Sequence, residues 1–330
     1  MKALVDKVLW LTIGLVCLFA LPARAQTAGT EEKTLPVGEF TSLSVTDDFE
    51  VSLVKGRHGV KITSEKELIP YIQVYVRSRT LFITYDEKSV PKDIKKLFKG
   101  RGAPDPVFRA VVTMPEVGGI SLSNNATLSA AEDFDGSGFE LNLADKAQVK
   151  TLSLKLDGAV LNLKKNAQAS LNLEVSNRLE INVEGNASLK LGGKADELAL
   201  NAAGSSEVTL AADTKSSNLT TSGSAGVSLS QKTEKMTLNV GGSSRVNLSG
   251  EAESLQIHGE RNAQVEANAF SVEKCEASMS GSSRINISIS ESLEASLVGG
   301  SALYYTGTPA IKIGKVIKST LAPYGSSSKL

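Results

Sequence analysis

Between residues 118 and 305, apolar and polar positions recur in one short pattern every 18 to 21 residues. An apolar residue is followed by two loop positions, a small or polar residue, Ala or Ser, any residue, and a second apolar residue. Copies include Leu122-SNNAT-Leu128, Leu163-KKNAQ-Ala169, Val183-EGNAS-Leu189, Val240-GGSSR-Val246 and Leu297-VGGSA-Leu303. A self-similar period near 20 residues signals a solenoid, in which each unit buries its apolar face only by stacking on its neighbours.

The repeats can be followed column by column from each central apolar residue. Two positions before it stand Ile120, Leu141, Leu161, Ile181, Leu200, Leu219, Leu238, Ile257, Ala277 and Ala295. Six positions after it lie Leu128, Val149, Ala169, Leu189, Val208, Val227, Val246, Val265, Ile285 and Leu303. Eight after it come Ala130, Thr151, Leu171 and their counterparts as far as Tyr305. Strand side chains alternate between faces, so all three columns are expected inside. The residue just before the centre then points outward: Ser121, Asn142, Asn162, Asn182, Asn201, Thr220, Asn239, His258, Ser278 and Ser296.

Glycines 185, 204, 223, 242, 281 and 299 sit between the two short strands of their units, where a positive φ explains them, and Asn124 tolerates the same geometry. Ala or Ser two residues later, from Ala126 to Ser301, predicts a corner too tight for anything larger. Charged stretches between units, such as GGKADE and SQKTEK, read as outer loops. A parallel β-helix of about ten coils satisfies all of this, and coils about 4.8 Å apart make a rod roughly 45–50 Å long. An antiparallel array of hairpins would alternate too, but it has no need of the same residue class at each offset.

Upstream the pattern is simple two-fold alternation: Leu43 and Val45, then Phe49, Val51 and Leu53, then Val60 and Ile62. Ile72, Val74 and Val76, then Leu81, Ile83 and Tyr85, continue it. Segment 86–106 breaks it with three prolines and six basic residues, and Pro91 is expected to open one helical turn with Ile94, Leu97 and Phe98 on a common side. Strand character returns at Val107–Met114. Exposed edges at the two ends of a rod must be covered. Residues 40–116 are expected to cover one, and the tail GTPAIKIGKVIKSTLAPYG the other.

Residues 1–25 read as a secretory signal: Lys2 and Lys7, an apolar stretch Val8–Leu21, and Ala23-Arg24-Ala25 as a cleavage site. The stretch is too short to span a bilayer comfortably. The resulting organisation is signal peptide 1–25, lead-in 26–36, β-rich region 37–116, β-helix repeats 117–315 and tail 316–330. Composition narrows the core: 41% of residues are hydrophobic but only 5% aromatic, so Leu, Val, Ile and Ala must fill it. Charge balances at 36 basic and 36 acidic residues. Loss of the signal removes Lys2, Lys7 and Arg24 against Asp6, which leaves no basic field for nucleic acid. It also removes Cys17. Cys275 then remains alone, without an internal disulfide, and it aligns with Leu255 and Leu293 as a core thiol.

The opening FTSLSVTDDFEVSLVKGRHGVKITSEKELIPYIQVYVRSRTLFI, the recurring Gly-Ser-Ser turns and the late run SMSGSSRINISISESLEASLVGGSALYYTGTP carry a family likeness. Over about residues 37–315 the chain resembles the bacterial domain of unknown function 2807, also called the putative auto-transporter adhesin head, or GIN, domain. Several units have Asn-Ala where that family's turn is Gly-Ser-Gly. The resemblance implies an exported, right-handed parallel β-helix, common in Bacteroidetes-like bacteria, and transfers no catalytic residues.

Candidate chemistry is sparse. A carbohydrate-active β-helix enzyme needs clustered carboxylates. Glu140, Glu180, Glu276 and Glu294 share one column, but only the last two fall on consecutive coils. His58 and His258 are the sole histidines, and His258 takes a place otherwise filled by Asn, Ser or Thr. Turns such as GGSSR lack the following helix and the Gly-Lys-Ser/Thr of a phosphate loop. Hence no catalytic residue, cofactor or metal site is predicted. The outward asparagines Asn142, Asn162, Asn182, Asn201 and Asn239 are the candidate ligand surface, whether they meet sugar hydroxyls or simply solvate the sheet. The basic stretch Lys88–Arg101 offers a weaker surface for anionic headgroups. The reading is a non-catalytic envelope or surface protein, adhesive or glycan-binding. Its alternatives are a carbohydrate-active enzyme and a structural or stress-response accessory of the envelope.

Overall fold

The computed structural model describes residues 29–99, 101 and 103–325; the expected signal 1–25 lies outside them. The repeats form a parallel β-solenoid. Each unit contributes two strands joined by a four-residue turn, one strand to each face of the rod. On one face Gly138–Leu143, Gly158–Leu163, Arg178–Val183 and Glu197–Ala202 stack in parallel, with Leu141 over Leu161, Ile181 and Leu200. On the other, Gln148–Leu156, Gln168–Val175, Ser188–Lys194 and Glu207–Asp213 do the same. From residue 226 the second strand of one unit runs unbroken into the first of the next, as in Gly226–Val240 and Arg245–Gly259. Parallel pairing at every step rules out the hairpin array.

The expected interior columns are buried, from Ile120 and Leu128 to Ala295 and Leu303, except that the final Tyr305 is only partly buried and one position is exposed. Thr151 is exposed, because the register of its strand shifts after Val149 and Leu152 takes the place opposite Leu171. Its hydroxyl instead donates to the Ala130 carbonyl at 3.1 Å. The bulge turns one extra residue outward without breaking the column.

The turns stack as regularly as the strands. One residue per turn has positive φ: the predicted glycines and Asn124, but also Asp145, Lys165 and Arg261, where no glycine marks it. The carbonyl of that residue accepts the N–H of the turn above, as in Ser224 to Gly204 and Ser243 to Gly223, both at 2.7 Å. The small residue following is buried in every unit, from Ala126 to Ser301.

The start of the rod departs from chain order. Strands β1 (Thr30–Leu35), β2 (Ser42–Val45), β3 (Glu50–Lys55), β4 (Gly59–Glu65), β5 (Ile72–Arg77) and β6 (Thr80–Tyr85) precede helix α1 (Lys92–Leu97). Strands β7 (Arg109–Met114), β8 (Gly119–Leu122) and β9 (Thr127–Asp135) follow it. The coil β2–β3 lies between β6–β7 on one side and β8–β9 on the other, parallel to both. It adds a turn to the ten read from the repeats. Antiparallel strands then seal this end: β5 on β6, and β4 on β7 with β1 outside it. In α1, Ile94 and Phe98 pack on the core as expected, whereas Leu97 is exposed.

At the far end the tail pairs in parallel rather than folding across. Ala310–Ile317 lies on Arg284–Val298, and Thr320–Pro323 on Ala302–Thr306. The final row is exposed along its length, including Ile311, Ile313, Val316 and Ile317.

Two substitution pairs test this architecture. Val246, buried in an interior column, should lose about 3 kcal/mol or more on change to Asp, since an unpaired carboxylate would enter the core. Asn247, facing out and only 3.5 Å from the Ser228 hydroxyl, should lose at most about 1 kcal/mol by the same change. Equal losses in denaturant melts would reject the alternation. A Cβ on Gly242, at φ 73°, would lie 2.5 Å from the Gly223 carbonyl oxygen. Gly242→Ala should therefore cost about 1–3 kcal/mol, while Gly226→Ala, whose Cβ meets nothing within 4 Å, should leave the melting midpoint unchanged or raised.

Candidate functional site

Asparagine is a poor strand former, yet it recurs at one outward offset on successive coils. Parallel pairing sets Asn142 beside Asn162, Asn182 and Asn201 in turn. Like side chains one strand spacing apart can chain their amides. Asn162 Nδ2 donates to Asn142 Oδ1 at 3.0 Å, Asn182 to Asn162 at 3.0 Å, and Asn201 to Asn182 at 2.9 Å. The chain ends on Glu140, whose carboxylate accepts from Asn142 Nδ2 at 2.9 Å.

Four of the five candidate asparagines thus form one ladder. Asn239 is set apart from it by Thr220. A side-chain amide has two donor hydrogens and two acceptor lone pairs, and the ladder uses about half of them. Asn162 and Asn201 each retain one N–H, while the second N–H of Asn182 reaches Glu180 only at 3.4 Å. The beginning of the ladder opens on a shallow groove of about 230 Å³ lined by Ser44, Ser121, Asn142, Asn162 and Lys164.

The glutamates of the neighbouring column are engaged rather than clustered. Glu276 accepts from Gln256 at 3.1 Å, and Glu294 pairs with Lys312 at 2.9 Å. His258 is exposed between Asn239 and Ser278. His58 is tied instead to the Phe40 carbonyl at 2.8 Å, its ring edge-on to Phe40.

Charge pairing between coils was not anticipated. Lys165 meets Asp145, Lys215 meets Asp196, Lys164 meets Glu184 and Lys232 meets Glu251, each pair on neighbouring coils. The hydrogen bond from Lys165 holds the Asp145 carboxyl below its ordinary range, and that to Asp196 holds Lys215 above its own. The sequence signal was an opposite charge 19 or 20 residues away, visible only at the solenoid's own period.

Cys275 lies in the core, and burial, with Glu276 adding to it, pushes its thiol up to about 12. Among the described residues no group of three or more His, Cys, Asp and Glu could hold a metal, and no helix is long and apolar enough to cross a membrane. Native protein should consequently resist a thiol reagent at pH 8 and react once unfolded in guanidinium. Rapid labelling of the folded chain would contradict the assigned core position.

The family model described as "putative auto-transporter adhesin, head GIN domain" matches residues 39–220 and 209–309. No curated protein matches. A solved "putative adhesin" from Parabacteroides merdae is 16% identical over 90% of this chain and 96% of its own, with a TM-score of 0.41. A "putative lipid binding protein" from Parabacteroides distasonis is 14% identical over 89% and 97%, with a TM-score of 0.35. A "putative cell adhesion protein" from Clostridium sporogenes is 12% identical over 61% and 99%, with a TM-score of 0.24.

Proposed function

Because the chain belongs to the family described as putative auto-transporter adhesin, head GIN domain, we propose that it is an exported, non-catalytic surface protein that contacts extended glycan through its asparagine ladder. The observation that carries this reading is the row of four in-register amides with unspent hydrogen-bonding capacity. Amides about 4.8 Å apart on a rigid face match the repeat of an extended sugar chain well enough to meet successive hydroxyls. Individual contacts are weak, worth about 1 kcal/mol each. Affinity would come from their number and from a scaffold that is ordered before binding.

The non-catalytic part rests on the acids of the neighbouring column, of which Glu140 lies beside the ladder and Glu276 and Glu294 lie several coils further on. Glu140, Glu276 and Glu294 are already held by Asn142, Gln256 and Lys312, an arrangement suited to stacking rather than to proton transfer. The exported part rests on the family and on the signal-like residues 1–25.

Changing Asn162, Asn182 and Asn201 together to Ala should weaken capture on a glycan array by about tenfold or more. The three lost ladder bonds should lower the melting temperature only by several degrees, since each net contribution is about 1 kcal/mol or less. Ala at Lys232 and Glu234, outward residues of the continuous strand Gly226–Val240 where the sequence suggested an outer loop, should leave binding intact. Parental binding by the triple variant, or its outright unfolding, would make the ladder purely structural.

A further inference from the structure

The solenoid's regular pattern breaks at one place that nothing above explains. In β2–β3 and β8–β9 the two strands are joined by four residues, 46–49 and 123–126. Between β6 and β7 the link runs from 86 to 108. This long segment leaves the coil plane and lies against the turns of the next three coils. It is anchored at both ends. The Asp86 N–H donates to the Tyr71 carbonyl at 2.9 Å, and the Glu65 carboxylate, itself buried, receives the Val107 N–H at 3.0 Å.

Between segment and turns lies a cleft of about 600 Å³, within the range that encloses small ligands. One wall is made of rings. Phe108 sits 4.7 Å from Tyr85 and 5.3 Å from Phe49, and Phe98 of the segment faces the same space. Three stacked turns line the same cleft with Asp47, Asp48, Asn124, Asn125 and Asp145, and Asp47 accepts the Tyr85 N–H at 3.1 Å. These groups are preorganised by one another: Asn124 Nδ2 donates to Asp47 at 3.0 Å and Asn125 Nδ2 to Asp48 at 2.6 Å. Burial, followed by the charges of Glu87 and Asp47, holds the Tyr85 hydroxyl above its ordinary value, so it stays an O–H.

Rings beside carboxylates and amides in one cleft suit a ligand with an apolar face and a hydroxyl-bearing edge. Sugar rings have both: C–H faces stack on aromatic side chains, and hydroxyls bond in pairs to Asp and Asn. Charge narrows the class. The lining holds Asp47, Asp48, Glu87 and Asp145 against Lys95, Lys99 and Lys146, and Lys165 further neutralises Asp145. Near balance disfavours a polyanion or a multiply cationic peptide.

We propose that this cleft binds a neutral sugar residue of a glycan, with Phe98 as the stacking ring and Asp48 and Asn125 as the hydroxyl partners. The proposal rests on the reading of the chain as a glycan-contacting adhesin, and it adds a second, larger concave contact to the ladder. Phe98 is half-buried and packs on the core from the segment, so Phe98→Trp and the melting midpoint of each variant separate a lost stacking ring from a lost fold.

The test is an array of neutral, sialylated and sulfated oligosaccharides probed with residues 26–330 and three variants. Phe98→Ala should lose neutral-glycan binding by about tenfold, Phe98→Trp should retain it, and Asn125→Ala should lose it by a similar factor. All three should melt within a few degrees of the parent. Capture of neutral glycans should also persist in high salt, where an ionic contact is screened. Unchanged binding by both Ala variants, or parental preference for acidic glycans, overturns the cleft. If the ladder triple variant alone loses binding, the cleft falls while the adhesin reading stands. If the parent captures no glycan, both fall.

Discussion

Everything in this molecule depends on one constraint: each coil must lie on the previous one in register, backbone on backbone, through the turns as well as the strands. The Ser243 N–H on the Gly223 carbonyl and the Ser224 N–H on the Gly204 carbonyl carry the ladder around a corner where most strands would end. Close turn stacking explains why a Cβ at Gly223 or Gly242 would meet carbonyl oxygen at 2.8 or 2.5 Å. It also explains the buried Ala or Ser that follows, since a larger side chain there would push consecutive coils apart.

Register forces like onto like, which governs the surface as much as the core. Stacked leucines fill a narrow interior without aromatic bulk. Stacked asparagines bond to each other, so a column that looks like a binding surface is first its own partner. Stacked charges would repel, and many occur instead as alternating signs one coil apart, as in Lys155 and Lys194 about Glu174, while the like pair Glu276 and Glu294 is relieved by Gln256 and Lys312. Surface ion pairs of this kind contribute little each; their role is to keep a column from opposing the register. A ligand therefore competes best where self-pairing is incomplete, at leftover amide capacity or where the coil pattern is interrupted.

The same rule decides what could be read in advance. Periodicity exposes whatever repeats, so the interior columns, the small corner residues, the positive-φ glycine that recurs in six turns and the asparagine row were legible from residue types alone. Thr151 was misplaced because a bulge changes register without changing composition. Asp145, Lys165 and Arg261 were missed as left-handed residues because glycine was the expected mark, whereas outward side chains tolerate that conformation at modest cost. Four asparagines formed the predicted row; that Asn239 stands outside it follows from Thr220, whose hydroxyl does not extend the amide chain.

Non-periodic features were the least legible, and the first coils show why. Asp47, Asn124 and Asp145 share one turn edge although the first two are 77 positions apart, because β2–β3 is inserted between coils that follow it in the chain. Phe98 and Phe108 reach that edge from the single long link. No fixed spacing relates these residues, so no period reveals them. Chain order also places the cost: the β2–β3 coil gains both neighbours only after residues up to 135 have folded, and the cleft is complete one turn later, with Asp145 and Lys146. The rod's regularity supplies rigidity, and its one irregular end supplies a concave site.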